Sequence, residues 1–473
     1  MLLNGGVIIL ILTLRSIFIC DAEQVQEEQV EESTTDTTVK SIDKITIQVE
    51  ESTTVKSTDK ITIDSSDEPE RHGDNLPRKI SSRRPPTSYD VQTSDLYLLK
   101  LFRLSSEFSK ADIEFCPVLL VHGMYQSSDR FLAQKEDQNL AHKLQDLGYD
   151  VWLFNARGNR YSRRHITLDP DKESQKFSNY SFEEIGYFDL AASVDFILSR
   201  TGFKKLHYIS YGLGGTFFLV LNSLLPMYNE RFDRAFLMAP IALSGEMRNT
   251  ALRKELINHK ILYRDLKEAK VYEIFPYDYE KEKVQFVSTM CLGSEKYEAI
   301  CKEINVQGML GIHHYNNSKV ATRGGSTKTL IHWAQNIDKK DFRRFDYVSA
   351  NRDVYGKRGD APSYDFTAVT VRTTLIYTPT DEMIAEHDIK ELAKRMINAN
   401  IRKVERPNFK HDDFMDGPDV MHDVYNTIIE YLPENKKYVT EKEEKKADKF
   451  PWWIGLIIFG VALAIVVYFF AYR

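Results

Sequence analysis

From about residue 87 to residue 432 the chain alternates short apolar runs with longer amphipathic ones, a spacing that predicts strands followed by helices. In "SDLYLLKLFRL" the apolar positions Leu96, Leu98 and Leu101 predict an opening hairpin. Next come a buried-strand run in "CPVLLVHG", a helix over "LAQKEDQNLAHKLQDLG", the strand "YDVWLFNAR" and the helix "YFDLAASVDFILSRTG". The stretch "KLHYISYGLGGT" then reads as strand, sharp turn and the start of a helix. Strands alternating with helices imply an α/β fold with a doubly wound, mainly parallel sheet.

The alternation stops after "RAFLMAPIAL" and resumes at "TTLIYTPTD". Residues from about 245 to 365 carry aromatics and charge without strand periodicity. They are expected to form an inserted, mostly helical cap over the C-terminal edge of the sheet, where α/β folds bind ligands. A third domain is the alternative.

The flanks differ in kind. Residues 1–22 hold the apolar run "VIILILTL", Arg15 and a small residue at Ala22, which reads as a signal peptide, with an uncleaved anchor as the alternative. Residues 23–78 lack aromatics and repeat "VEESTT" from Val30 and again from Val49. Such a segment buries too little apolar area to offset its ordering entropy, so a disordered arm is expected, with a short strand at each "KITI" as the alternative. The globular domain is expected over 79–435, followed by a charged stalk at 436–450 and a transmembrane helix at 451–472. Trp452 to Tyr472 is uncharged, and its 21 residues rise roughly 31 Å as a helix, close to the hydrocarbon thickness of a bilayer. The expected protein is a single-pass membrane protein of the secretory pathway. Its globular domain faces the lumen or the cell exterior, at the cell surface or in a lysosome-like compartment.

A net charge of −6 without a basic cluster argues against nucleic acid as a partner. Of the four cysteines, Cys116 sits in a strand-like run and is expected to be a buried thiol. Cys291 and Cys301 either close a short disulfide loop, which an oxidising compartment favours, or remain free. Asn179 and Asn316 head N-x-S/T triplets and are candidate glycosylation sites. No metal constellation is expected, since His313 and His314 lack clustered carboxylate or thiolate partners, and no cofactor is implied.

Candidate chemistry gathers at the ends of the strands. Asp381 follows the late strand "TTLIYTPT", and His411 stands in "FKHDDF" just before the closing helix "VYNTIIEYL". Nucleophile, acid and base in that order are the arrangement of the α/β-hydrolases. The loop "VHGMY" ends an early strand, so the backbone N–H groups of Met124 and Leu213 are expected to face a developing oxyanion. At the strand-to-helix turn the five residues of a G-x-S-x-G pattern read Ser210, Tyr211, Gly212, Leu213 and Gly214. The nucleophile position is Gly212, and Ser210 lies two residues too early to replace it.

From about Tyr89 to Leu432 the chain resembles the acid lipase family, which contains the gastric and lysosomal acid lipases. The likeness lies in "PVLLVHG", "GYDVWLFNARGNRYSRRH", "SFEEIGYFDLAASVDFI", "KLHYISYGLGGT", "LIHWAQ" and "NFKHDDF". The resemblance implies an α/β-hydrolase core with cap and lid that cleaves acyl esters of glycerol or cholesterol through a serine triad. It places the acid on Asp381, the base on His411, the oxyanion donors on Met124 and Leu213, and a cap disulfide on Cys291 and Cys301. The family turn G-H-S-Q-G is kept only at Gly214. Two readings follow. One is a non-hydrolytic pseudoenzyme that binds an acyl lipid or a protein partner, with Asp381 and His411 as remnants of the relay. The other is an ester hydrolase in which Asp381 and His411 activate water directly.

Overall fold

The computed structural model describes residues 86–104, 116–135, 138–274, 295–300 and 324–432. All lie in the compact unit Glu70–Arg473, and the unit Met1–Pro69 contains none of them. The signal peptide, the repeat arm, the stalk, the span at 451–472, Cys291, Cys301 and Asn316 therefore lie outside the described residues. Among the described residues no helix is long and apolar enough to cross a membrane.

Among the described residues ten strands form two sheets. The main sheet has the order β1-β2-β4-β3-β5-β6-β9-β10, from β1 (Thr87–Gln92), β2 (Leu98–Leu104), β3 (Val118–Val121), β4 (Val151–Leu153), β5 (Leu206–Tyr211), β6 (Phe232–Met238), β9 (Arg372–Tyr377) and β10 (Ala399–Lys403). The hairpin β1–β2 and the β2–β4 pair are antiparallel, and every later pair is parallel. The apolar runs explain the arrangement. β3 and β5 are buried along their whole length, as strands covered by helices on both faces must be. β10, "ANIRK", is largely exposed and carries Arg402 and Lys403, side chains suited to an open sheet edge.

The helix expected over 132–148 is shorter than its apolar pattern. A 3₁₀ turn covers Ser128–Leu132, and α1 begins only at Leu140 and ends at Asp146. The Asn139 side chain accepts the His142 N–H at 3.1 Å and so caps α1, which fixes its start later than the periodicity suggests. The expected helix after Tyr187 does form, as α2 (Ala191–Thr201) preceded by a π-helical turn at Ile185–Leu190. Helix α3 (Leu213–Leu224) follows β5 directly, with every residue from Leu213 to Asn222 buried.

The interruption contains α4 (Thr250–Leu256), α5 (His259–Glu268) and α6 (Thr327–Lys339). It is not wholly without strands, for β7 (Glu273–Ile274) and β8 (Gly325–Ser326) pair as a two-stranded ribbon. Two residues per strand are too few to register as a periodicity. The segment is fastened to the core through buried and half-buried groups: the His332 ring of α6 stacks on Phe182 at 3.7 Å, and the half-buried Arg344 reaches Glu183 at 2.6 Å.

Candidate active site

The turn between β5 and α3 is fixed by close backbone packing. Gly212 has φ 55° and ψ −119°, a conformation that side chains with a Cβ adopt only under strain and that glycine takes freely. Its N–H donates to the Met238 carbonyl at 2.9 Å. A Cβ on Gly214 would lie 2.8 Å from the Val121 carbonyl oxygen, 2.9 Å from Ser210 Cβ and 3.0 Å from the His122 carbonyl oxygen. Only glycine lets the helix approach the strand this closely. Ser210 is therefore packed beneath the turn, fully buried against Gly214.

The opposite wall comes from β9 and the loops after it. His411 Nδ1–H donates to Asp381 Oδ2 at 2.7 Å. Asp381 Oδ1 accepts the N–H groups of Met383 and Ile384 at 2.7 and 3.0 Å, so the carboxylate is held at both oxygens. The hydroxyls of Thr378 and Thr380 both donate to the Phe409 carbonyl, at 3.0 and 2.6 Å, and tie the acid's loop to the histidine's. Asp381 and His411, thirty positions apart in sequence, are both buried.

The two walls meet at position 212. A Cβ built on Gly212 would stand 3.8 Å from His411 Nε2, 3.8 Å from Gly123 Cα and 3.9 Å from Ile241 Cδ1. These are ordinary contact distances, so no neighbour has moved into the place of a side chain. Met124 follows Gly123 on that rim. Leu213 is the first residue of α3, where an N–H has no carbonyl partner within the helix. Asp381, His411 and Gly212 thus converge, and Met124 and Leu213 are the chain neighbours of Gly123 and Gly212 at that point.

The structure adds groups that the motifs did not single out. Tyr211, which stands where the lipase turn has histidine, lays its ring 5.1 Å from that of His411 and donates its hydroxyl to Asp412 at 3.0 Å. Burial pushes the Tyr211 hydroxyl well above its ordinary pKa and also raises the Asp412 carboxyl, against the pull of His411 and Arg130. Tyr211 is a packing strut, unsuited to attack. His122 is buried, and burial lowers its pKa to about 4. Its Nε2 accepts the Ala156 N–H at 3.2 Å, so its Nδ1–H donates to the Gly123 carbonyl at 2.8 Å and steadies the rim. Asp412 was legible in "FKHDDF" as a neighbour of the histidine, but nothing in the sequence pairs it with Tyr211.

Farther from the site, Arg157 in "FNARGNR" is fully buried between Asp189 and Asp95, with an N–O distance of 2.6 Å to each. Its guanidinium lies 3.9 Å from the centre of the Tyr97 ring. Burial raises the Asp189 carboxyl to about 6 even beside that cation. Cys116 is a buried free thiol, as expected. Asn179 is exposed, and its side-chain oxygen accepts from Lys328 Nζ at 3.3 Å on the rim of a cleft of about 400 Å³. None of the converging residues lines that cleft. Among the described residues no group of histidine, cysteine, aspartate and glutamate side chains is arranged to hold a metal.

Comparison with known proteins agrees with this geometry. The alpha/beta hydrolase fold family matches residues 117–272, and the partial alpha/beta-hydrolase lipase region matches residues 85–135. Gastric triacylglycerol lipase of Bos taurus is 29% identical over 367 residues, covering 75% of this chain and 89% of that protein. Gastric triacylglycerol lipase of Homo sapiens is 28% identical over 369 residues, covering 75% and 89%. Lipase 1 of Drosophila melanogaster is 30% identical over 354 residues, covering 73% of this chain and 76% of that protein. By fold, motif order and similarity along most of its globular part, the chain belongs to the lipase family of α/β-hydrolases.

Proposed function

We propose that this protein is a non-hydrolytic member of the lipase family, tethered to a membrane of the secretory pathway, that uses the former catalytic site to hold an acyl lipid. One observation carries the reading: the residue aimed at His411 from the turn is Gly212, which has no atom to attack an ester carbonyl. Loss of the serine from a serine triad lowers turnover on the order of 10⁶-fold, and what persists comes from binding and oxyanion contacts. The names of the relatives, triacylglycerol lipases among them, support an acyl lipid as the ligand class. The apolar run at 452–472 supports the membrane tether, and the run at 7–14 supports entry into the secretory pathway. Disulfide formation between Cys291 and Cys301 and glycosylation of Asn179 and Asn316 belong to the same compartment.

The test is esterase activity on short and long acyl esters, measured on purified protein before and after Gly212→Ser. The wild type is expected to be inert and unreactive toward a fluorophosphonate probe, and the variant to gain both properties. The retained 2.7 Å contact between His411 and Asp381 supports a second reading, in which the pair activates water directly. Wild-type turnover that disappears in His411→Gln would establish that second reading and remove the first.

A further inference from the structure

Asn179 heads an N-x-S triplet, and the same residue stands on the rim of the cleft of about 400 Å³ between core and cap. Gln175 and Asn179 line it from the core side, and Tyr263 and Lys267 of α5, Tyr272 and Lys328 of α6 line it from the cap side. A lysine ammonium can only donate, so the Asn179 atom 3.3 Å from Lys328 Nζ is the amide oxygen. Nδ2, the atom that N-linked sugars modify, is the other end of the amide and donates to nothing among the described residues. The rest of the triplet is sealed: Tyr180 and Ser181 are buried, and the Ser181 hydroxyl donates to Glu184 at 2.9 Å and lies 3.0 Å from His332 Nδ1 of the cap. A sugar is therefore attached before the cap closes.

The cations of the cleft are already engaged. Lys176 pairs with Glu173 at 3.0 Å, and Lys267 Nζ lies 3.9 Å from the centre of the Tyr263 ring. Lys328 also bonds the Tyr347 hydroxyl at 3.1 Å and lies 3.8 Å from Glu184. The lining groups that make no hydrogen bond among the described residues are neutral: the Gln175 amide and the hydroxyls of Tyr263 and Tyr272. Neutral donors and acceptors beside a half-buried aromatic ring suit a sugar, which offers hydroxyls and an acetamide at its rim and C–H groups on its face.

Resting on the entry into the secretory pathway proposed above, we propose that the cleft is the seat of the protein's own N-linked glycan. The first N-acetylhexosamine on Asn179 folds back against Tyr272 and fastens the cap to the core. The modification exchanges one Nδ2 hydrogen for the anomeric carbon of a sugar delivered from a lipid-linked diphosphate donor. The diphosphate leaves with the electron pair of the broken C–O bond, and the Nδ2 proton goes to a base. The Asn179 oxygen is untouched, so its bond to Lys328 survives.

The test uses full-length protein made in secretory cells with Asn316→Gln, which leaves Asn179 as the one candidate triplet. Intact-mass measurement is expected to show a single glycan. Amide exchange over α5 and β7 is expected to be at least about tenfold slower in this protein than after Asn179→Gln. Tyr272→Ser, which keeps the glycan and removes the ring, is expected to lose most of that protection. Exchange in β5 is expected to be the same in all three, which separates loss of the seat from loss of folding. Should Asn179→Gln fail to fold, removal of the glycan from the folded protein by peptide-N-glycosidase supplies the sugar-free form. A glycan on Asn179 that leaves exchange unchanged overturns the seat and leaves the secretory reading standing. Asn179 unmodified in protein recovered from secretory membranes also overturns the seat alone, and unmodified protein recovered from the cytosol overturns the secretory reading with it.

Discussion

The two walls of the site differ in what they carry. The wall built from β9 and the loops after it keeps its chemistry: Asp381 is bonded at both oxygens, His411 is bonded to Asp381, and two threonines lock the loops together. The wall built from β5 and α3 has the shape of a tight strand-to-helix turn and carries Gly212, which has no side-chain atom, at its tip. Its shape rests on the backbone of Gly212 and the close approach at Gly214, neither of which depends on a hydroxyl. Fold and reactivity are therefore separable at this turn. The backbone conformation at Gly212 is one that a residue with a Cβ adopts only under strain and that glycine takes freely, so the turn folds without any side chain at that position.

That comparison is broken or sharpened most strongly by restoring the atom. Gly212→Ser is expected to raise esterase turnover by about 10³-fold or more, and adding Asp381→Asn is expected to remove most of that gain. A serine variant as inert as the wild type would mean that the relay wall is not poised for catalysis. Next in size is the network around Arg157. Arg157→Met leaves Asp189 buried without its cation, with only the backbone N–H of residue 157 still donating to it, and a loss of about 3–5 kcal/mol is expected in urea unfolding, with no effect on the geometry of the site. An unchanged midpoint would show that Asp189 is held protonated and needs no cation.

Gly214→Ala tests the shape of the elbow wall. The added methyl meets two carbonyl oxygens and a Cβ at 3.0 Å or less, and a cost of about 2–3 kcal/mol is expected. A variant as stable as the parent would show that helix and strand have room to separate.

The smallest effect is pH-dependent and lies in the cap. Burial lowers the pKa of His332 to about 3, so the folded protein keeps it neutral while the unfolded chain protonates near 6.5. Its contribution to stability is complete above pH 6.5 and is lost as the pH falls from there toward 3. Asp189, raised to about 6, acts in the opposite direction but equally in wild type and variant. The stability gap between wild type and His332→Asn should shrink by roughly 2 kcal/mol from pH 7 to pH 5. A gap independent of pH would mean that His332 carries its charge in the folded state.

Much of this was legible before the structure, for identifiable reasons. β3 is a continuous apolar run and β5 and β9 carry apolar and β-favouring residues next to turn residues, which is a local signal. β10 was not legible, because an exposed edge strand such as "ANIRK" buries almost no apolar surface and takes its conformation from pairing with β9. The late start of α1 was hidden because a cap at Asn139 overrides a periodicity that continues on both sides of it. The ribbon β7–β8 escaped notice because its two strands are separated by half the cap in sequence.

For the site, the order of Gly212, Asp381 and His411 could be read along the chain, and so could the absence of an oxygen at the first of them. Identity is a property of single residues. What the sequence could not provide was adjacency: Tyr211 against Asp412, Arg157 between Asp95 and Asp189, and the 3.8 Å between the place of a missing side chain and Nε2. Those contacts join residues from 32 to 201 positions apart. Chain closure around a shared core decides them, because burial is non-directional and the backbone path alone selects which buried groups come face to face.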